Sequence, residues 1–265
     1  MSTVAVLIPT YRPGNYLQCC LQSIDRQTLD RNKFKVYIVL NGPKAEFEQY
    51  ILNILNGISF KYEYVYLEQA GVSNARNKLI DISTESFITF VDDDDFISEN
   101  YLQSLLNVTS EFDMGVSDIR NFTLKNENFK KANISRGYSN NKKIERVNLK
   151  TRKFYSDSCA KMMHRNMIKN VWFDTKLKIG EDSLFMAKVS RNIKNVVKSG
   201  DNVFYYVRIR QGSASRSHID KVELIKRTFY LCKEYSKLLF DSRYHKLFIL
   251  SRIAATLIHL KRIAE

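Results

Sequence analysis

An apolar run ends in four consecutive carboxylates at FITFVDDDDF: Asp92, Asp93, Asp94 and Asp95. Adjacent carboxylates repel one another, so the cluster calls for a cation or a proton to offset it. A hard divalent ion, Mg2+ or Mn2+, suits oxygen ligands and takes only one or two protein carboxylates, completing its shell with substrate phosphates. The alternative is a solvated acidic turn capping a helix that starts near Ser98 or Glu99. A second acidic pair, Glu181 and Asp182, follows Gly180 in KIGEDSLFMAKV. It either answers the dipole of the helix it opens or supplies a carboxylate base beside an acceptor. In AGVSNARNKL, Arg76 stands in the first turns of a helix, where it is either an ordinary exposed arginine or the partner of a carboxylate or phosphate. The stretch VRIRQGSASRSH carries Arg208, Arg210, Arg216 and His218 among small residues. Guanidinium forks in such a loop suit phosphate gripping, and the composition equally suits plain solvation.

The elements that must position these groups are legible from patterning. Apolar runs at 4–8, 35–40 and 87–91 and the alternating KYEYVYL at 61–67 read as strands. Between them, 15–27, 44–55 and 72–82 read as helices. Strand and helix in alternation, with buried-looking strands, predict an α/β fold in which helices cover a parallel sheet. Ligands in such sheets sit at the carboxyl ends of strands, so the loops 9–12, 41–43 and 92–95 are site candidates. Residues 121–152 are polar and rich in Lys and Asn, which predicts an exposed hairpin or mobile loop with little core. Beyond it, 158–164 resumes order, 165–171 reads as a helical turn, 181–191 as a helix and 202–209 as a strand. Residues 221–264 read as two amphipathic helices.

The 265 residues are 44% hydrophobic and 26% charged, enough to bury a core. No run reaches the roughly 18 apolar residues of a membrane span. The N-terminus lacks the basic flank and cleavage site of a secretory signal. Cys19, Cys20, Cys159 and Cys232 show no C-x-x-C spacing, so neither a zinc site nor a disulfide framework is expected, and a reducing, cytoplasmic setting fits. Of the net charge of +14, residues 1–120 contribute −6 and residues 121–265 contribute +20. One half manages an acidic centre while the other meets an anionic surface or ligand.

In this order the pieces resemble the bacterial family 2 glycosyltransferases of the A-type nucleotide-sugar fold. The resemblance rests on Ile8-Pro9-Thr10-Tyr11, Gly71-Val72-Ser73-Asn74-Ala75-Arg76-Asn77, Asp92-Asp93-Asp94-Asp95, Gly180-Glu181-Asp182 and Arg210-Gln211-Gly212-Ser213, and it extends to about Ser217. It implies a mostly parallel central sheet flanked by helices. Residues 1–120 would form a nucleotide-sugar-binding half, 121–217 the acceptor-binding and catalytic half of the same domain, and 218–265 a helical segment. It further implies that Pro9, Thr10 and Tyr11 line the nucleotide pocket with Arg76 near base and ribose. Asp92 or Asp93 would contact ribose and sugar, Asp94 the metal, Arg210 and Ser213 the diphosphate, and Asp182 would be the base with Glu181 as its support. His218 would be a further metal ligand. Relatives carry an acidic residue after the second strand; here Asn41 stands in Leu40-Asn41-Gly42-Pro43, where its amide can still meet a uracil edge.

The implied activity is metal-dependent, inverting transfer from a nucleoside-diphosphate sugar, UDP by family habit, to a surface polysaccharide (capsule, O-antigen or exopolysaccharide) or its lipid-linked precursor. A catalytically inactive membrane-docked protein and a nucleic-acid-binding protein are the competing classes. The second is disfavoured because the aspartate cluster would repel a phosphate backbone. Residues 221–265, with ten basic and four acidic residues, could lie on an anionic inner leaflet, or pack against the rest of the chain or a second subunit in a homo-oligomer.

Overall fold

A computed structural model of the chain describes residues 3–123, 130–131, 138, 143–209 and 220–264. The apolar first strand, β1 (Val4–Thr10), is buried at every position, as a strand covered on both faces must be. It pairs in parallel with β2 (Phe34–Asn41) on one side and β4 (Phe87–Phe90) on the other, and β2 pairs in parallel with β3 (Tyr62–Leu67). The crossovers run through α1 (Tyr16–Asp25), α2 (Ala45–Leu55) and α3 (Val72–Ile82), each burying one apolar stripe. This half matches the sequence expectation to within a few residues at every boundary.

The second half is more mixed than its patterning shows. Beyond β5 (Phe96–Ile97) and α4 (Tyr101–Val108), the chain enters β6 (Asp113–Val116) and β7 (Asp118–Phe122). After β8 (Lys130–Lys131) and β9 (Ile144–Arg146), β10 (Lys161–His164) inserts antiparallel between β4 and β6. A short α5 (Arg165–Ile168) and α6 (Glu181–Val189) follow, then β11 (Asn195–Lys198) parallel to β6, and β12 (Phe204–Arg208). The main sheet has eight strands in the order β3-β2-β1-β4-β10-β6-β11-β9, and a smaller one has the order β5-β12-β7-β8.

The polar stretch 121–152 holds little core in its described part, as its composition predicts: β9 pairs with β11 but its residues are half-buried or exposed, and among the described residues of the stretch only Phe122 and Thr151 are buried. One expectation needs correction. The four aspartates do not cap a helix at Ser98 or Glu99, because α4 begins only at Tyr101.

The last two helices, α7 (Lys221–Leu239) and α8 (Lys246–Ala264), pack on the domain through one face each. α7 buries Leu224, Thr228, Leu231 and Tyr235. On α8, Phe248 sets its ring edge-on to Tyr155 at 5.2 Å, and the Arg252 Nη2 donates to the Arg152 carbonyl at 2.9 Å.

The segment Phe173–Asp174 bolts α3 to α7. Asn77 of α3 accepts from the Phe173 N–H at 2.8 Å and donates to its carbonyl at 2.9 Å, while Ser73 donates to the Asp174 carbonyl. The Tyr230 hydroxyl of α7 donates to the Asp174 carboxylate at 2.7 Å. Replacing Asn77 by Ala removes a reciprocal pair of hydrogen bonds and leaves both backbone groups of Phe173 unpartnered. A loss of about 1–3 kcal/mol is expected in urea unfolding, and an unchanged midpoint would show that the bolt carries no stability.

Candidate active site

The site forms where β1, β2 and β4 end, with α3 and α6 facing it. At its centre is Arg76, 4% exposed, whose guanidinium lies over the Phe173 ring at 5.3 Å. Nη2 donates to Asp92 Oδ1 at 3.1 Å, and Nη1 donates to Glu181 Oε1 at 3.1 Å and stands the same distance from Asp182 Oδ1. The Asp182 contact is one of charge without hydrogen-bond geometry, which leaves that oxygen without a hydrogen-bond partner. One cation thus gathers carboxylates from the end of β4 and the start of α6, 105 residues apart in sequence between Arg76 and Glu181.

Burial separates the two acids of α6. The Glu181 side chain is 9% exposed and that of Asp182 22%, so Asp182 is the one that reaches solvent. Burial, then the Asp182 charge, pushes the Glu181 carboxyl up to about 7 against the opposing pull of Arg76. Burial disfavours a charged Arg76, but Asp182 and Asp92 outweigh it and raise its affinity for the proton. The helix is entered through Gly180 at φ +92°, a left-handed conformation that favours glycine. A Cβ there would stand 3.1 Å from Leu231 of α7, and the Ser183 and Tyr235 hydroxyls are 2.9 Å apart. α7 therefore backs the turn that carries both acids.

The four aspartates, alike in sequence, alternate in burial. Asp93 and Asp95 point inward and Asp92 and Asp94 outward. Thr10 donates a short hydrogen bond to Asp93. Asp95 accepts from the Arg208 N–H at 2.8 Å and hydrogen-bonds Tyr205; burial, then the Asp92 and Asp94 charges, raises it well above the usual carboxylate range. Burial also raises Asp92, with Arg76 opposing. The Asp92 N–H donates to the buried Tyr205 hydroxyl at 3.0 Å, and Arg208 Nε to the Asp94 carbonyl at 2.8 Å. Arg208, 7% exposed, secures the aspartate turn rather than offering an open phosphate grip.

The residues expected to line a donor pocket differ in exposure. Pro9 and Thr10 are buried, leaving Tyr11, 47% exposed, as the accessible member of its trio. The Tyr11 ring lies against Gly42, whose φ of +89° and close approach exclude a side chain. Asn41, 2% exposed, donates to the Thr10 carbonyl at 2.7 Å and accepts from the Gly71 N–H at 2.8 Å. It ties β1 to the entry of α3. Arg76 is likewise engaged by carboxylates, and Asp93 by Thr10. Arg210, Ser213 and His218 lie outside the described residues. Nothing in the sequence marks Tyr235 or Phe173 as site residues, and Tyr205 is signalled only by the run of tyrosines in the strand at 202–209.

Among the described residues no group of three or more His, Cys, Asp or Glu side chains is arranged to hold a metal ion. Asp94, with Asp92 beside it, offers a small oxygen-only donor set, which fits a hard ion that keeps most of its shell for water and phosphate.

A family model described as Glycosyl transferase family 2 matches residues 5–172. The poly(ribitol-phosphate) β-N-acetylglucosaminyltransferase TarS of Staphylococcus aureus is 24% identical over 87% of this chain, which spans 39% of that relative's length. A crystal structure of S. aureus TarS residues 1–349 in complex with UDP-GlcNAc superimposes with a TM-score of 0.76 at 20% identity, covering 96% of this chain and 71% of that one. The mannosyltransferase PcManGT of Pyrobaculum calidifontis, in complex with GDP-Man and Mn2+, does so with a TM-score of 0.66 at 15% identity, covering 97% and 69%. Both structures share the fold of this chain.

Because the folded protein holds the Glu181 proton more tightly than an unfolded carboxyl does, this group's contribution to stability declines as pH rises from the ordinary carboxylate range through about 7. Glu181→Gln, a mimic of the protonated acid, removes that dependence. The variant's melting temperature relative to wild type is expected to be higher at pH 8 than at pH 5; parallel curves would place the proton elsewhere.

Proposed function

Since the chain belongs to glycosyl transferase family 2, we propose that it moves a sugar from a UDP-sugar to a hydroxyl of a bacterial cell-wall or surface polysaccharide, or its lipid-linked precursor, inverting the anomeric carbon. The observation that supports this most is the Arg76 clamp, which sets a solvent-reaching carboxylate, Asp182, beside the acidic end of β4. TarS is named for poly(ribitol phosphate) as acceptor, and the charge of +20 on residues 121–265 suits an acceptor of that anionic kind.

Asp182 takes the proton of the acceptor hydroxyl as its oxygen bonds to the anomeric carbon. The bond from that carbon to the diphosphate oxygen breaks on the opposite face, and the electron pair leaves with the nucleoside diphosphate. Glu181 and Arg76 orient the base, and Tyr11, just past the end of β1, offers an exposed ring against Gly42. Asp94 and, by the family resemblance, His218 would hold a Mn2+ or Mg2+ ion, whose chemistry is to offset charge on the departing diphosphate. Such an ion also answers an electrostatic need, since an anionic diphosphate must otherwise approach a cluster of aspartates.

Asp182→Asn is expected to lower kcat by about 10^2–10^4-fold while UDP binding, read by thermal shift, stays unchanged. Asp94→Asn is expected to abolish the Mn2+-dependent part of that shift. Normal turnover by the Asp182 variant would overturn the assignment of the base, and an undiminished Mn2+ effect in the Asp94 variant that of the metal ligand.

A further inference from the structure

The outward face of α8 is left unaccounted for by the packing of the domain. Phe248, Ile249 and Arg252 turn inward and are buried. Leu247, Leu250, Ala254, Leu257 and Ile258 recur at spacings of three, four, three and one, which places them on one outward face. The four large ones are 58, 48, 51 and 54% exposed. From Leu247 to Ile258 the only Asp, Glu, Lys or Arg is the buried Arg252, so a stripe about 17 Å long carries no charge at its surface. Lys246 precedes the stripe, and Lys261 and Arg262 follow it in sequence. On α7, whose Arg227 lies 3.5 Å from His259 of α8, Val222, Ile225 and Phe229 are exposed next to exposed Lys221, Lys226 and a single acid, Glu223.

We propose that this face is an interfacial surface, with α8 lying in the plane of an anionic lipid bilayer and its aliphatic stripe at the acyl boundary. No described helix is long and apolar enough to cross a membrane, so the helix lies on the bilayer without spanning it. Charge selects the bilayer over a second copy of the chain. A two-fold pairing through the stripe would bring the basic flanks of one copy against a partner surface of the same sign. A leaflet of anionic headgroups attracts the lysines around the stripe.

The test is flotation of the full chain with vesicles of mixed phosphatidylglycerol and phosphatidylcholine, against phosphatidylcholine alone. The protein is expected to float with the mixed vesicles, to bind the neutral ones about tenfold less, and to be released as salt is raised. The double variant Leu250→Glu, Leu257→Glu, altered only at exposed positions, is expected to keep its melting temperature and circular dichroism while losing flotation. Should it unfold, Leu257→Ser alone makes the same comparison. The proposal is overturned if wild type ignores the mixed vesicles, if a folded variant floats equally well, or if light scattering finds a wild-type dimer that the variant converts to monomer. No donor, acceptor or turnover enters this measurement, so its failure and that of the transferase reading are separate.

Discussion

The guanidinium of Arg76 is the interaction on which the site depends. It is one buried positive charge facing three carboxylates, and the helix that carries it, α3, is bolted to the Phe173–Asp174 segment. Removing one partner of a buried charge pair leaves its mates uncompensated, typically at about 3–5 kcal/mol, so the geometry of β4 and α6 is conditional on this side chain. The pairing is also incomplete. One cation faces three carboxylates, and burial first, with the neighbouring carboxylate charges adding to it, raises the proton affinity of Glu181 and Asp92 against the pull of Arg76. More acidic than basic groups therefore gather around Arg76, where β4 ends and α6 begins.

The fold's first half is legible because its strands are continuous apolar runs separated by helices with clear stripes, and such segments declare their state locally. The second half is built from strands such as β6 and β11, four residues each, whose pairing is decided by neighbours far away in sequence. NVVK and DMGV carry too little periodicity to announce themselves. The same distinction governs the site. Residue types located the aspartate tract and the Glu181-Asp182 pair, because acidic clusters are conspicuous wherever they fall. Which of Asp92 to Asp95 turn outward, and that Asn41 secures backbone, follow from contacts with Thr10, Tyr205, Arg208 and Gly71, and no single segment contains that information.

The C-terminal helices sharpen a choice that patterning left open. α7 is integral to the domain: Leu231 closes against Gly180, Tyr235 meets Ser183 and Tyr230 holds Asp174. The turn that presents Asp182 is thus supported from behind by residues about 50 positions later. The two amphipathic segments look alike in the sequence, yet α7 reaches the turn below Asp182 while α8 keeps an uncharged aliphatic face outward.

The insertion of β10 between β4 and β6 fixes the order in which the protein can be completed during synthesis. β1 to β4 can pair as they emerge, since each neighbour is already made. The outer edge of β4, however, has no strand to bind until His164 has left the ribosome, and β6 waits just as long beside it. For that interval the outer edge of β4 stays open, with four aspartates just beyond its end in the sequence, and charge beside an open strand edge discourages pairing with another chain.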